Sequence, residues 1–369
     1  MRHISLLIKP ASSQCNMRCK YCFYADESKK REQAYMGRMC METAQSLIGA
    51  VFAAQHENGS ISFSFQGGEP MLAGLPFFDA FTAEVEKCNT RHVPIHYAIQ
   101  TNGTLIDQRW AFFFKRHHFL VGISIDGDQT LNDENRVDAQ GKGTYASIQK
   151  NIQLLRKENV DVNLLCVVTQ KSTVRPQQVY HALKKQGIHY LQFIPCLDPL
   201  EEKRGLHPYS LTPEAYARFL CIIFDCWFLD WQRGQYVSIR QFDDYVHLAM
   251  GMRAASCANS GRCGGYLVVE GDGSVYPCDF YALDKWKLGN IRENSIEQLM
   301  RNEHYQAFVK DSLARPDECS ICPYYALCRG GCKRDWVNHS NYFCSAYRQF
   351  FSYSWDRICF IAQREHAMH

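Results

Sequence analysis

No stretch of this 369-residue chain approaches the roughly 18 consecutive apolar residues that a membrane-spanning helix requires. It also lacks charge of one sign. Its 41 basic and 38 acidic side chains leave a formal charge of +3, which excludes recruitment to nucleic acid or to a membrane surface by bulk charge. There is no internal repeat and no low-complexity segment. The opening MRHISLLIKP ends its short apolar stretch at Lys9 and Pro10 and has no small-residue cleavage site, so no secretory signal is expected. Cysteine, by contrast, is abundant, with eighteen residues. In a chain without an export signal, that number reads as metal ligands in a reducing cytoplasm and not as disulfides.

Eleven of the eighteen cysteines fall into ligand-like patterns. Cys15, Cys19 and Cys22 form a C-x3-C-x2-C run directly after an apolar, strand-like stretch. Three thiolates can hold three irons of a 4Fe–4S cluster and leave the fourth iron open. An electron carrier would normally take four cysteines, so the pattern points to catalysis. A structural zinc loop is the competing reading, although zinc normally takes four N/S ligands. The second group is C-terminal: Cys257, Cys263, Cys278, Cys319, Cys322, Cys328, Cys332 and Cys344. Eight thiolates suffice for two fully ligated clusters, and a zinc ribbon over Cys319–Cys332 is the alternative. The remaining Cys40, Cys88, Cys166, Cys196, Cys221, Cys226 and Cys359 read as small buried hydrophobes.

The first 200 residues alternate short apolar runs with helical periodicity. Strands are predicted at Ile4–Lys9, Ile61–Phe65, Ile95–Gln100, Leu120–Ile125, Val162–Val168 and Tyr190–Ile194. Helices are predicted at Glu42–Gln55, Pro76–Cys88, Asp107–His117, Tyr145–Glu158 and Pro176–Gln186. Six such β–α units with right-handed crossovers give a parallel sheet, either open and doubly wound or partly closed as a barrel. In both designs ligands sit at the carboxyl ends of strands. The chain obeys that rule. The cysteine loop follows the first strand, Gly67-Gly68-Glu69-Pro70 the second, Thr101-Asn102-Gly103 the third, Asp126-Gly127 the fourth and Cys196-Leu197 the sixth. From about residue 235 the rhythm stops, and a hairpin turning at Asp272-Gly273 is expected between the cysteine groups. The chain is therefore divided into 1–235 and 236–369.

The C-x3-C-x2-C loop with Tyr21 before its last cysteine, together with the Gly-Gly-Glu-Pro segment, resembles the radical S-adenosylmethionine superfamily. The spacing Cys263-x9-Gly273-x4-Cys278, then Cys319-x2-Cys322-x5-Cys328-x3-Cys332 and Cys344, is similar to its SPASM extension. The resemblance implies a partial (β/α)6 TIM-type barrel over 1–235 and a SPASM domain with two auxiliary clusters over 236–369, hence three 4Fe–4S clusters. It implies that Cys257, Cys263, Cys278 and Cys332 hold one auxiliary cluster and Cys319, Cys322, Cys328 and Cys344 the other. S-adenosylmethionine would bind the open iron and, on reduction, yield a deoxyadenosyl radical. Its implied contacts are Tyr21, Gly68, Ser124, Arg136 and Leu197. The family commonly has proline after the Asp-Gly of strand four, where this chain has Asp128.

Longer segments, among them LLIKPASSQCNMRCKYCFYA and VEGDGSVYPCDFYALDKWKLGNI, resemble the anaerobic sulfatase-maturating enzymes. That resemblance implies oxidation of one cysteine or serine of an unfolded sulfatase polypeptide to Cα-formylglycine. Asp279 would be the base that takes the heteroatom proton, since a base must lie within hydrogen-bond reach of it. Tyr24, Gln66 and Gln100 would contact substrate. Reduced ferredoxin or flavodoxin would donate electrons, and a monomer is expected. One rival is another SPASM enzyme that forms thioether or carbon–carbon crosslinks in a small peptide. Such enzymes usually carry an N-terminal leader-binding domain, for which a cysteine loop starting at residue 15 leaves no room. The other rival is a non-catalytic iron–sulfur electron carrier, which would not need an open-site cluster.

Overall fold

A computed structural model describes residues 1–56 and 58–366. Its compact parts are two units, each discontinuous in sequence. One contains Met1–Ser124, Asn135–Val162 and Gly264–Val309; the other contains Ile125–Glu134, Asn163–Cys263 and Lys310–His369. Strand pairing groups residues 264–309 with the N-terminal sheet, since Leu267–Val269 pairs in parallel with His3–Ile8.

Strands β1 (His3–Ile8), β2 (Ser60–Phe65), β3 (Ile95–Thr101) and β4 (Phe119–Ser124) of the first unit pair in parallel and in chain order. Each lies within a residue of its predicted place, because period-2 alternation is a backbone property of the pleat. In β1 and β2 one face is buried and the other half-buried. The buried face carries Ile4, Leu6, Ile8, Ile61, Phe63 and Phe65. Helices Leu75–Cys88 and Gln108–Arg116 cover it with an aromatic cluster that includes Phe78, Phe81 and Phe113. The opposite face carries Ser5 and Leu7 of β1 and Ser62 and Ser64 of β2, all half-buried. The functional side chains project from this face and its rim.

The segment from β5 (Asp161–Val168) onward contributes β6 (Tyr190–Pro195) and β7 (Ser238–Ile239), again parallel and in chain order. The rest of the second unit is mostly helical, with a short antiparallel pair of Trp336–Val337 and Ser340–Asn341. Helix Pro213–Gln232 begins with Thr212 as N-cap and proline at its first position. It packs along the C-terminal helix Cys344–His366 through Phe224 and Phe350, with Phe242 from helix Arg240–Ala249 beside them.

The predicted hairpin exists as β8 (Leu267–Val269) and β9 (Ser274–Tyr276). Here β8 pairs in parallel with β1, and β10 (Gly289–Asn290) extends the sheet beyond β9. Its turn departs from the two-residue Asp272-Gly273 expectation. The Gly273 N–H bonds the Glu270 carbonyl, and Glu270 N–H bonds Ser274. The connection is thus the three residues Gly271–Gly273, closed by Gly273 at φ +87°. Among the described residues no helix is long and apolar enough to cross a membrane.

Candidate active site

The cysteine loop 15–22 is pinned to the rim of the first unit by backbone hydrogen bonds. Arg18 and Lys20 donate to the carbonyls of Val137 and Asn135. On the other side, Gly68 and Glu69 donate to Ser12 and Gln14 at 2.8 Å each. A Cβ on Gly68 would lie 2.1 Å from the Gln14 carbonyl oxygen, so glycine there is demanded by the protein's own backbone, not only by an approaching ligand.

The thiols of Cys15 and Cys22 lie close enough that each carries weight in the other's electrostatics. Burial pushes Cys15 up to about 11. Its sulfur accepts the Met17 N–H at 3.3 Å and the Asn102 side-chain amide at 3.9 Å. Cys22 is also raised by burial, while backbone N–H groups of Ala25 and Tyr24 and the charges of Arg136 and Lys9 favour its thiolate. N–H donors on the Cys15 sulfur, and N–H donors with the charges of Arg136 and Lys9 beside Cys22, suit the thiolates of an iron–sulfur cluster. The donor set fits the group.

The S-adenosylmethionine contacts expected in the first unit gather by the same loop. Tyr21 is buried, with the Arg136 guanidinium 5.5 Å from its ring centroid. Arg136 is only 6% exposed, so its charge is held inside the protein. Ser124 is buried at the end of β4. Leu197, half-buried after β6, belongs to the second unit.

Asp279 is buried, 4% exposed. Its Oδ2 accepts from Gln66 Nε2 at 3.0 Å, and its Oδ1 lies 2.8 Å from Lys9 Nζ as an ion pair without hydrogen-bond alignment. Lys9 itself is fully buried. Burial would lower its pKa, but Asp279 and Glu270 outweigh that and hold the ammonium above its ordinary value. Glu270, also fully buried, accepts Arg31 at 2.8 Å and the Tyr24 hydroxyl at 2.5 Å. The Tyr24 hydroxyl is thus tied to Glu270, and its ring lies under the Lys9 ammonium at 3.5 Å. Glu27, pushed up to about 8 by burial, accepts the Ala282 N–H and so fastens the segment after Asp279. Gln100 is half-buried at the end of β3.

Sequence reasoning missed Lys9, Glu270 and Arg31. Lys9 immediately follows a strand with alternating burial, and no local pattern marks it as buried.

Among the other cysteines, Cys319, Cys322, Cys328 and Cys344 occur together in the second unit. Burial raises Cys328 to about 11, with Cys344, Cys319 and Cys322 adding to the rise. Cys263 is raised by burial and by neighbouring Cys257, and its backbone N–H bonds Ser312. Cys332 lies in the same unit, whereas Cys278 lies in the first, its sulfur 3.8 Å from the Tyr266 hydroxyl. All eighteen are free of disulfides. Of the seven expected to be buried hydrophobes, Cys166 and Cys196 are buried and Cys88, Cys221, Cys226 and Cys359 half-buried. Cys40 is exposed, because it occupies the N-cap of helix Met41–Ala54.

Residues 10–183 match the radical SAM superfamily, and residues 257–323 match the SPASM iron–sulfur cluster-binding domain. The chain is 42% identical to the cysteine-type anaerobic sulfatase-maturating enzyme of Clostridium novyi, over 98% of each chain. The solved structure of native anSMEcpe with bound AdoMet superposes with a TM-score of 0.93 at 42% identity, covering 98% of this chain and 99% of that one. The same protein with AdoMet and the Cp18Cys peptide superposes equally well, at 41% identity. A parallel-sheet α/β core with a SPASM domain is thus the fold. The chain belongs to the radical SAM superfamily, within its family of anaerobic sulfatase-maturating enzymes.

Proposed function

We propose that the chain oxidises a cysteine in an unfolded sulfatase segment to Cα-formylglycine, using S-adenosylmethionine and three 4Fe–4S clusters. The observation that carries this reading is the buried Asp279, held between Lys9 and Gln66 and adjacent in sequence to a cysteine of the SPASM pattern. Cysteine is favoured as the target because the C. novyi relative is of the cysteine type. In this reading Cys15, Cys19 and Cys22 hold the catalytic cluster, and Cys257, Cys263, Cys278, Cys319, Cys322, Cys328, Cys332 and Cys344 hold two others. When bound, the open cluster and S-adenosylmethionine supply a carbon radical that removes one Cβ hydrogen from the substrate.

Loss of the thiol proton and of one further electron, which the auxiliary clusters would accept, would leave a thioaldehyde that water converts to the aldehyde with release of hydrogen sulfide. The chain's own residues handle the proton and the positioning. Asp279 takes the thiol proton, with Gln66 and Lys9 fixing its two oxygens so that proton transfer needs no reorganisation. Lys9 balances the buried charge of Asp279, and Arg31 that of Glu270. Tyr21, Arg136, Ser124, Leu197 and the backbone of Gly68 orient S-adenosylmethionine, and Gln100 lies at the same strand-end rim for a substrate contact.

The barrel and the SPASM domain are assigned to 1–235 and 236–369. The enzyme works as a monomer in the reducing cytoplasm, where unbridged cysteines persist, and reduced ferredoxin or flavodoxin supplies its electrons. An anaerobic assay of the reconstituted chain with Cys-x-Pro-x-Arg and Ser-x-Pro-x-Arg peptides tests the reading. Mass spectra should show loss of the thiol and gain of an aldehyde on the cysteine peptide. A simple two-hydrogen loss in a crosslinked product would instead identify the thioether- or carbon-linking rival.

A further inference from the structure

Thr101-Asn102-Gly103 on the rim has no part in the reaction as described, yet Asn102 reaches the cysteine loop. Three side chains close a ring of hydrogen bonds. Asn102 Nδ2 donates to Asn16 Oδ1 at 2.8 Å, Asn16 Nδ2 donates to Thr104 Oγ1 at 2.8 Å, and the Thr104 hydroxyl donates to Asn102 Oδ1 at 2.7 Å. The Thr104 backbone N–H also bonds Asn102 Oδ1, at 3.0 Å. Two donors on that oxygen settle which way the amide faces, since only its oxygen can accept both. The NH2 group is therefore turned toward Asn16 and toward Cys15 Sγ, 3.9 Å away.

The backbone below the ring is equally constrained. Glu69, fully buried, accepts the Asn102 N–H and the Thr101 hydroxyl at 2.8 Å each, and the Met71 N–H at 3.1 Å. Gly103 takes φ +77°, and its carbonyl accepts from Asn151. Asn102 is buried, so water does not compete for its amide. A cyclic ring polarises each member and stiffens the whole.

We propose that Asn102 is a positioning residue that sets the electron affinity of the first cluster, by directing a fixed N–H donor at the sulfur of Cys15. The inference rests on the reading of Cys15 as a cluster ligand. Reduction adds one electron to the iron–sulfur unit and makes its sulfurs better acceptors. A pre-aimed donor therefore stabilises the reduced form more than the oxidised one, as hydrogen bonds to cluster sulfurs do in general. The Glu69, Thr104 and Asn16 contacts exist to hold that aim, and they link three of the strand-end motifs into one support for the thiolate.

The test uses the full chain, reconstituted anaerobically, as wild type, Asn102→Ala, Asn102→Asp and Thr104→Ser. Asn102→Ala deletes the donor without adding charge. Asn102→Asp keeps the oxygen that Thr104 uses but puts an anionic carboxylate in place of the donor and so lowers the midpoint further, and Thr104→Ser keeps every hydrogen bond. Iron and sulfide are counted, and the midpoint of the cluster signal that changes on adding S-adenosylmethionine is titrated by electron paramagnetic resonance. In Asn102→Ala the reduced-to-oxidised ratio at fixed potential should fall by up to about tenfold. That is the weight of one net hydrogen bond and corresponds to ~59 mV for one electron. Thr104→Ser should match wild type. An unchanged midpoint in both Asn102 variants with full iron content overturns the proposal. So does loss of the cluster from both, which would make Asn102 part of the loop's architecture alone. If no wild-type signal responds to S-adenosylmethionine, the reading of Cys15 fails, and the proposal fails with it.

Discussion

Replacing Lys9 by methionine isolates the electrostatics on which the proposed base depends. Methionine keeps most of the stem and removes the charged group, including the ammonium that lies 3.5 Å over the Tyr24 ring. At 2.8 Å from Asp279 and 3.7 Å from Glu270, the ammonium contributes about 6 kcal/mol and about 4 kcal/mol of attraction at an effective dielectric constant near 20. Its own desolvation offsets much of this. What decides the outcome is what stays behind: Asp279 without its ion-pair partner, and Glu270 left to Arg31 at 2.8 Å, a guanidinium that Glu27 also faces at 3.8 Å. Breaking a buried pair in this way costs about 3–5 kcal/mol.

Anaerobic chemical denaturation of the reconstituted protein should show that loss for Lys9→Met. The double variant Lys9→Met/Asp279→Asn, which removes the stranded charge as well, should recover at least half of it. In the peptide assay Lys9→Met should still form 5′-deoxyadenosine while its aldehyde yield falls steeply, since the base is no longer held. A stability loss under about 1 kcal/mol, or strictly additive effects of the two substitutions, would refute the reasoning.

The other expectations concern single positions. Asp279→Asn should retain cleavage of S-adenosylmethionine but lose about 10²–10⁴-fold in aldehyde formation, followed by mass spectrometry; wild-type yield would remove Asp279 from the role of base. Gly68→Ala forces its methyl onto the Gln14 carbonyl and should destabilise by about 1–3 kcal/mol, lowering the iron bound by the first cluster relative to the other two. Burial raises Glu69 from 4.5 to about 7. Its folded-state pKa exceeds the unfolded one, so this stabilising contribution is fully present below about pH 4.5 and is lost as pH rises through about 7. The full loss is roughly 3 kcal/mol. Melting between pH 5 and 8 should therefore fall more steeply for wild type than for Glu69→Gln, and parallel profiles would contradict the assignment.

The reach of sequence reasoning here follows from physical range. The strands were legible because alternation of burial is local, and the rim was legible because polar and glycine residues follow strands in a parallel sheet. Hence the cysteine loop, Gly67-Gly68-Glu69-Pro70 and Thr101-Asn102-Gly103 were placed together from their order alone. What could not be read depends on pairing between distant segments. Glu270 meets Arg31 across 239 positions and Asp279 meets Gln66 across 213, and nothing local marks a lysine at a strand end as buried. The hairpin signal at Asp272-Gly273 was correct in kind but short by Gly271. A Cβ at that position would lie 2.1 Å from the Gly37 carbonyl oxygen, a contact made by a distant loop. Helices Pro213–Gln232 and Cys344–His366 escaped because aromatic residues surround most of their faces and blur the 3.6-residue period.

Incomplete protein ligation of the first iron–sulfur centre is the claim from which the chemistry follows. Magnetic resonance of the reduced, reconstituted chain, recorded with and without S-adenosylmethionine isotopically labelled at its amino nitrogen and carboxylate, measures it most directly. The account predicts hyperfine coupling of those labels to the cluster, abolished in a variant lacking Cys15, Cys19 and Cys22. A centre that contains zinc, or iron already bound by a fourth side chain and indifferent to S-adenosylmethionine, would contradict it.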